Sequence, residues 1–118
     1  MTQARAALTP CCGADWTMTD VQLDEPRGDE ILVRIVATGI CHTDISVRDQ
    51  HLPTPLPAVL GHEGAGVVER VGPAVTELVP GDHVVLTVIN CGKCNNCLGG
   101  SPTYCEQMMQ LNFSGRRL

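Results

Sequence analysis

Gly64-Ala65-Gly66-Val67-Val68-Glu69-Arg70-Val71 is the stretch on which the fold turns. Its small and β-branched residues read as a strand. Gly64 and Gly66 carry no Cβ, so another backbone or a ligand can come close to the chain there. Downstream, Val79-Pro80-Gly81-Asp82 has turn composition and launches a further strand over residues 83–89. Upstream, Ile31, Val33 and Ile35 alternate with Leu32, Arg34 and Val36, which predicts a strand buried largely on one side. Before it, Glu25-Pro26-Arg27-Gly28-Asp29 is a turn by composition. Its Arg-Gly-Asp tripeptide reads as a polar turn rather than an adhesion motif. Weaker strands are expected over residues 4–9 and 16–23, and a short helix over residues 43–49. The pattern predicts a mostly β chain, a small barrel-like sheet with irregular loops and no internal repeat.

Composition bounds the rest. The 118 residues carry 8 basic and 13 acidic side chains, a formal charge of −5. Nucleic acid and anionic membranes select a basic footprint, so neither is the expected partner. Apolar runs such as Ile31-Leu32-Val33 fall far short of the ~18 residues a spanning helix needs. Nothing near Met1 has the form of a signal peptide. A cytoplasmic, reducing setting is therefore the expectation. With one Trp, one Tyr and one Phe, the core must be aliphatic, and stacking platforms for single-stranded nucleic acid are missing. The prolines in His51-Leu52-Pro53-Thr54-Pro55-Leu56-Pro57 make a stiff loop, read as a connector ahead of a pocket wall.

Seven cysteines are many for such a chain, and an odd count cannot close entirely into internal disulfides. Cys91, Cys94 and Cys97 repeat at every third position, and Cys105 follows a short loop later. Four thiolates converging as a tetrahedron make a closed, structural zinc site. Gly92, Gly99 and Gly100 let the loop wrap an ion, and Asn95 and Asn96 tolerate its tight turns. Backbone amides beside the sulfurs would offset part of their charge. Iron–sulfur ferredoxin runs also open on Cys-x2-Cys-x2-Cys, but continue with x3-Cys-Pro, and here Glu106 follows Cys105. A redox Cys-x-x-Cys pair is the third alternative.

A second constellation is looser. Cys41-His42-Thr43-Asp44 follows one predicted strand, and Gly61-His62-Glu63-Gly64 opens another. A thiol and an imidazole at neighbouring strand ends could bind one metal ion, with Asp44 hydrogen-bonding His62 and Glu63 adding negative charge. The same residues read equally as core packing or solvated polar groups.

Taken in order, Gly39-Ile40-Cys41-His42-Thr43-Asp44, Gly61-His62-Glu63-Gly64-Ala65-Gly66, Pro80-Gly81-Asp82-His83-Val84 and the four-cysteine lobe resemble the N-terminal part of zinc-dependent, medium-chain alcohol dehydrogenases. Arg48-Asp49-Gln50-His51 and Asn112-Phe113-Ser114-Gly115-Arg116 are most similar to the aryl-alcohol (benzyl alcohol) branch. The resemblance implies a GroES-like, partly open β-barrel with a short helix. Residues 1–118 would be the N-terminal part of the catalytic domain, truncated, with a structural zinc lobe within residues 90–106. Cys91, Cys94, Cys97 and Cys105 would hold that structural zinc.

By the same resemblance, Cys41 and His62 are catalytic zinc ligands, Asp44 orients His62, and Glu63 stands behind or intermittently on the metal. Thr43 would hydrogen-bond the substrate alcohol, and His42 would lie near the cofactor pyrophosphate. The full enzyme would bind NAD or NADP and a small-molecule alcohol, form the alkoxide on zinc and pass a hydride to the nicotinamide. It would be a homo-oligomer.

Two departures from that pattern matter. The family's third catalytic cysteine and its dinucleotide-binding domain come later in the chain, and no Gly-x-Gly-x-x-Gly occurs here. These 118 residues alone are therefore expected to lack activity, and Cys11 and Cys12 are read as packing or surface thiols. Many relatives place a histidine where this chain has Ser46, so the proton route is open, and His51 is not the equivalent position. A stand-alone zinc-stabilised interaction module and an iron–sulfur carrier are the competing classes.

Overall fold

Six strands, three short helices and one 3-10 turn make up the described residues, 1–117, of the computed structural model. In chain order they are β1 (Thr2–Thr9), β2 (Thr17–Leu23), β3 (Ile31–Thr38), α1 (His42–Arg48), β4 (Ala58–Val59), β5 (Gly64–Val71), β6 (His83–Val85), α2 (Asn95–Leu98), the 3-10 turn Pro102–Tyr104 and α3 (Met108–Phe113). They sort into two units. One holds Met1–Ala6, Met18–Ile40 and Gly61–Thr87; the other holds Ala7–Thr17, Cys41–Leu60 and the chain from Val88 onward. No helix among the described residues is long and apolar enough to cross a membrane.

The first unit is organised by β5, which occupies the centre of an antiparallel sheet in the order β3-β5-β6. The strand read from sequence is the strand observed. Gly66 faces Ile35 on one side and Val84 on the other. A Cβ on Gly66 would collide with the Arg34 carbonyl oxygen and Val33 Cγ1, so close backbone approach is what glycine permits here. Val68 is almost fully buried and anchors this unit's core. The turn into β6 closes as expected: the Val79 N–H donates to Asp82 Oδ2 at 2.9 Å, and the Gly81 N–H to the Val68 carbonyl at 2.9 Å. The Arg27-Gly28-Asp29 turn is tied down at its backbone, where the Ala74 N–H donates to the Gly28 carbonyl at 2.7 Å.

Two expectations fail in this unit. The strand predicted over residues 83–89 ends at Val85. Its last ladder bond runs from the Leu86 N–H to the Gly64 carbonyl at 2.8 Å. Gly64 is where β5 begins, so residues beyond Leu86 have no strand to pair with. Nor is β3 buried along one side, since Ile35 is 47% and Val36 61% exposed. Irregularities between Leu32 and Val33 and between Ile35 and Ala37 break its alternation, and Ile35 faces a glycine that offers no covering side chain.

The second unit packs around Thr9, Val47 and Ala58, all buried. The end of β1 pairs antiparallel with β4, Leu8 opposite Val59 and Thr9 opposite Ala58. Trp16 Nε1 donates to the fully buried Thr9 hydroxyl at 3.0 Å, and the Arg48 guanidinium stacks 5.0 Å above the indole. Two residues beyond helix α1, Gln50 has a positive φ (59°). That conformation costs a non-glycine residue about 1 kcal/mol or more. The Gln50 side chain offsets the cost by donating to the Val47 carbonyl at 2.8 Å and the Thr54 carbonyl at 3.2 Å. These bonds also secure the first part of the proline-rich connector between α1 and β4.

Candidate metal centre and the Cys41 and His62 neighbourhoods

The sulfurs of Cys91, Cys94, Cys97 and Cys105 lie within 4.8 Å of one another. Four sulfurs ~2.3 Å from a central ion would stand about 3.8 Å apart. The Cys91 and Cys97 sulfurs are 3.9 Å apart, so the set fits one tetrahedral ion. Local backbone geometry explains the convergence. The Cys94 N–H donates to Cys91 Sγ at 3.2 Å and the Cys97 N–H to Cys94 Sγ at 3.5 Å, so each ligand caps the turn that delivers the next. Gly92 sits at φ +70°, the left-handed region that this tight reversal requires. Cys105 is buried and takes the Cys91 N–H at 3.3 Å and the Gln107 N–H at 3.4 Å.

The electrostatics suit a cation. Amides of Glu106 and Cys97 pull the Cys94 thiol down to about 6, and the Lys93 amide lowers Cys91. Burial, helped by the Cys94 thiol, pushes Cys97 up to about 12. Four thiolates this close would repel one another, and a divalent ion at their centre would supply the missing counter-charge.

Two asparagines hold this lobe: Asn112, which sequence reasoning did not connect with it, and Asn96, read from sequence only as a residue tolerant of tight turns. Asn112, on α3, clamps Ile89 at both backbone groups: the Ile89 N–H donates to Asn112 Oδ1 at 2.8 Å, and Asn112 Nδ2 to the Ile89 carbonyl at 2.8 Å. Asn96 Nδ2 donates to the Tyr104 carbonyl at 2.7 Å, tying α2 to the turn before Cys105. An asparagine in an apolar hexapeptide, Met108-Met109-Gln110-Leu111-Asn112-Phe113, was the available signal.

In the same unit, Cys41 is the N-cap of α1, and its N–H donates to Asp44 Oδ2 at 3.0 Å. Asp44, buried, thus acts within its own helix as the cap's partner. His42 is exposed and its Nδ1 lies 3.0 Å from the Ser46 hydroxyl; Thr43 is half-buried between them in sequence. His62 and Glu63 belong to the other unit, at the entry to β5. There the Gly39 N–H donates to the Glu63 carbonyl at 3.1 Å, and the Glu63 carboxylate lies against Gly39 where a Cβ would stand. Cys11 and Cys12 are exposed thiols in the turn after β1, and His51 is exposed.

The described residues thus combine a mostly β chain with one cluster of four converging thiols, apart from the cysteine at the head of α1. The chain belongs to the alcohol dehydrogenase GroES-like domain family, which matches residues 27–116. It is 50% identical over 112 residues to geraniol dehydrogenase of Castellaniella defragrans, a match covering 95% of this chain and 30% of that protein. The NDMA-dependent alcohol dehydrogenase of Amycolatopsis methanolica is 43% identical over 105 residues, covering 88% of this chain and 28% of that one. The crystal structure of benzyl alcohol dehydrogenase from Acinetobacter calcoaceticus superposes with a TM-score of 0.96 at 55% identity. That match covers 99% of this chain and 32% of the benzyl alcohol dehydrogenase chain. The chain thus spans about a third of the length of these relatives.

Proposed function

We propose that this chain is the zinc-binding N-terminal part of the catalytic domain of an NAD(P)-dependent alcohol dehydrogenase. Its substrate class is primary alcohols, aromatic ones among them, which the full enzyme converts to aldehydes. The convergence of four sulfurs within 4.8 Å, in a chain of this family, is the observation that carries the zinc reading. Similarity to benzyl alcohol and geraniol dehydrogenases supports the substrate class.

In this reading Cys91, Cys94, Cys97 and Cys105 hold a structural zinc ion, and Cys41 and His62 are two ligands of a catalytic one. When bound, that second ion would supply Lewis acidity, and the nicotinamide cofactor would supply the hydride chemistry. The remaining work belongs to side chains. Thr43 receives the substrate hydroxyl at its Oγ1 and starts the proton outward. Asp44 sets the His62 imidazole, and Glu63 places negative charge behind it. His42 meets the cofactor pyrophosphate: with Nδ1 engaged by Ser46 at 3.0 Å, its Nε2 is the nitrogen turned to that task.

Native mass spectrometry of the purified chain tests the proposal. Expected is a colourless protein with zinc bound at the lobe, lost in Cys94→Ala, and without NAD-dependent oxidation of benzyl alcohol by the 118 residues alone. An iron–sulfur mass, or no metal, would overturn the zinc reading; turnover by the isolated chain would overturn the view that it needs a separate cofactor domain.

A further inference from the structure

The four lobe sulfurs are not equivalent. Cys91 accepts hydrogen bonds from the Lys93 and Cys94 amides at 3.5 and 3.2 Å. Cys105 accepts from the Cys91 and Gln107 amides at 3.3 and 3.4 Å. Cys94 accepts from the amides of Cys97 and Glu106. Among the described residues, Cys97 has a single backbone donor, Gly92. Its side-chain neighbours are the Cys91 sulfur and Asn90 Oδ1, each at 3.9 Å. An N–H pointing at a thiolate draws off charge and lowers its nucleophilicity, so three ligands are damped twice and one is damped once.

Access sets Cys105 apart: it is only 5% exposed, whereas Cys91, Cys94 and Cys97 are all partly exposed, and Leu98 beside Cys97 on α2 is 74% exposed. We infer that Cys97 is the modification site of the metal-loaded lobe, the ligand that soft electrophiles attack first. This rests on the lobe holding zinc as proposed above. With a maleimide the step balances without a leaving group. The sulfur electron pair forms an S–C bond to one alkene carbon, the π pair moves to the other as an enolate, and water supplies its proton. The product thioether is neutral, and zinc loses one of its four anionic ligands.

The test is limiting N-ethylmaleimide on the zinc-loaded chain, with peptide mapping of every cysteine and a chromogenic chelator reading released zinc. Cys11 and Cys12, exposed and outside the lobe, label first and are mapped separately. Within the lobe, the earliest time points should show several-fold more adduct on Cys97 than on Cys91, Cys94 or Cys105, with zinc release tracking the Cys97 adduct. First labelling at another of the four, or equal labelling of all, overturns the assignment while leaving the zinc reading intact. A chain that takes up no zinc overturns both.

Discussion

The cysteine lobe and the Cys41 and His62 neighbourhoods set two ways of building a ligand set side by side. In the lobe, every ligand comes from one short stretch, and backbone amides already point at the sulfurs. Cys41 caps a helix in one unit while His62 enters a strand in the other. A local set is specified by turn geometry and spacing alone. A distributed set depends on where whole elements are carried, and each of its members keeps a local task as well: Asp44 closes the Cys41 cap, and the Glu63 backbone pairs with Gly39.

The largest expected effect breaks the lobe. Structural zinc supplies about 10–16 kcal/mol to small sites that fold around it, so Cys94→Ala should remove the ion and the order that depends on it. Hydrogen exchange should then rise over residues 91–105, with β5 unchanged. His62→Ala should do the opposite, leaving the lobe zinc and its amide protection as they were. Loss of the lobe zinc in His62→Ala would show that the two ligand sets are coupled rather than independent.

Next in size is a change to the first unit's central strand. Gly66→Val would drive a branched side chain into the Arg34 carbonyl and Val33, costing about 3 kcal/mol or more and lowering the melting temperature sharply. A variant that melts like the parent would mean that β3 and β5 separate easily. Thr9→Val keeps shape but leaves Trp16 Nε1 without its acceptor, so about 1 kcal/mol should be lost, seen in denaturant midpoint and in tryptophan emission.

These positions also mark how far sequence reading reaches. The glycine-valine pattern of β5 is legible because close approach and apolar branching both belong to that one strand. The four lobe cysteines are legible because their spacing is the site. The early end of β6 is not, since it depends on where its partner begins, at Gly64. Helix α3 escapes for a related reason. No side chain caps it at Gln107, and what Asn112 does for Ile89 is a long-range contact that periodicity does not encode. Local chemistry is written in spacing; tertiary clamps are not.

The smallest expected effect lies in the first unit, at its N-terminal ion pairs. The Glu25 carboxylate takes the N-terminal ammonium at 2.9 Å and the Arg70 guanidinium at 2.5 Å. The ammonium first, then Arg70, hold its pKa below the ordinary 4.5. A carboxyl lowered in the folded state contributes stability that is fully present above its ordinary value and lost as pH falls through the lowered one. All the groups are exposed, so the contribution is small and screened by salt. Stability should therefore fall slightly more steeply on acidification in the parent than in Glu25→Gln, with the two curves converging in acid and in high salt. Lobe zinc content at neutral pH should be the same in both proteins. Zinc loss in Glu25→Gln would tie the β1 end of the chain to the lobe and undo the separation on which the comparison rests.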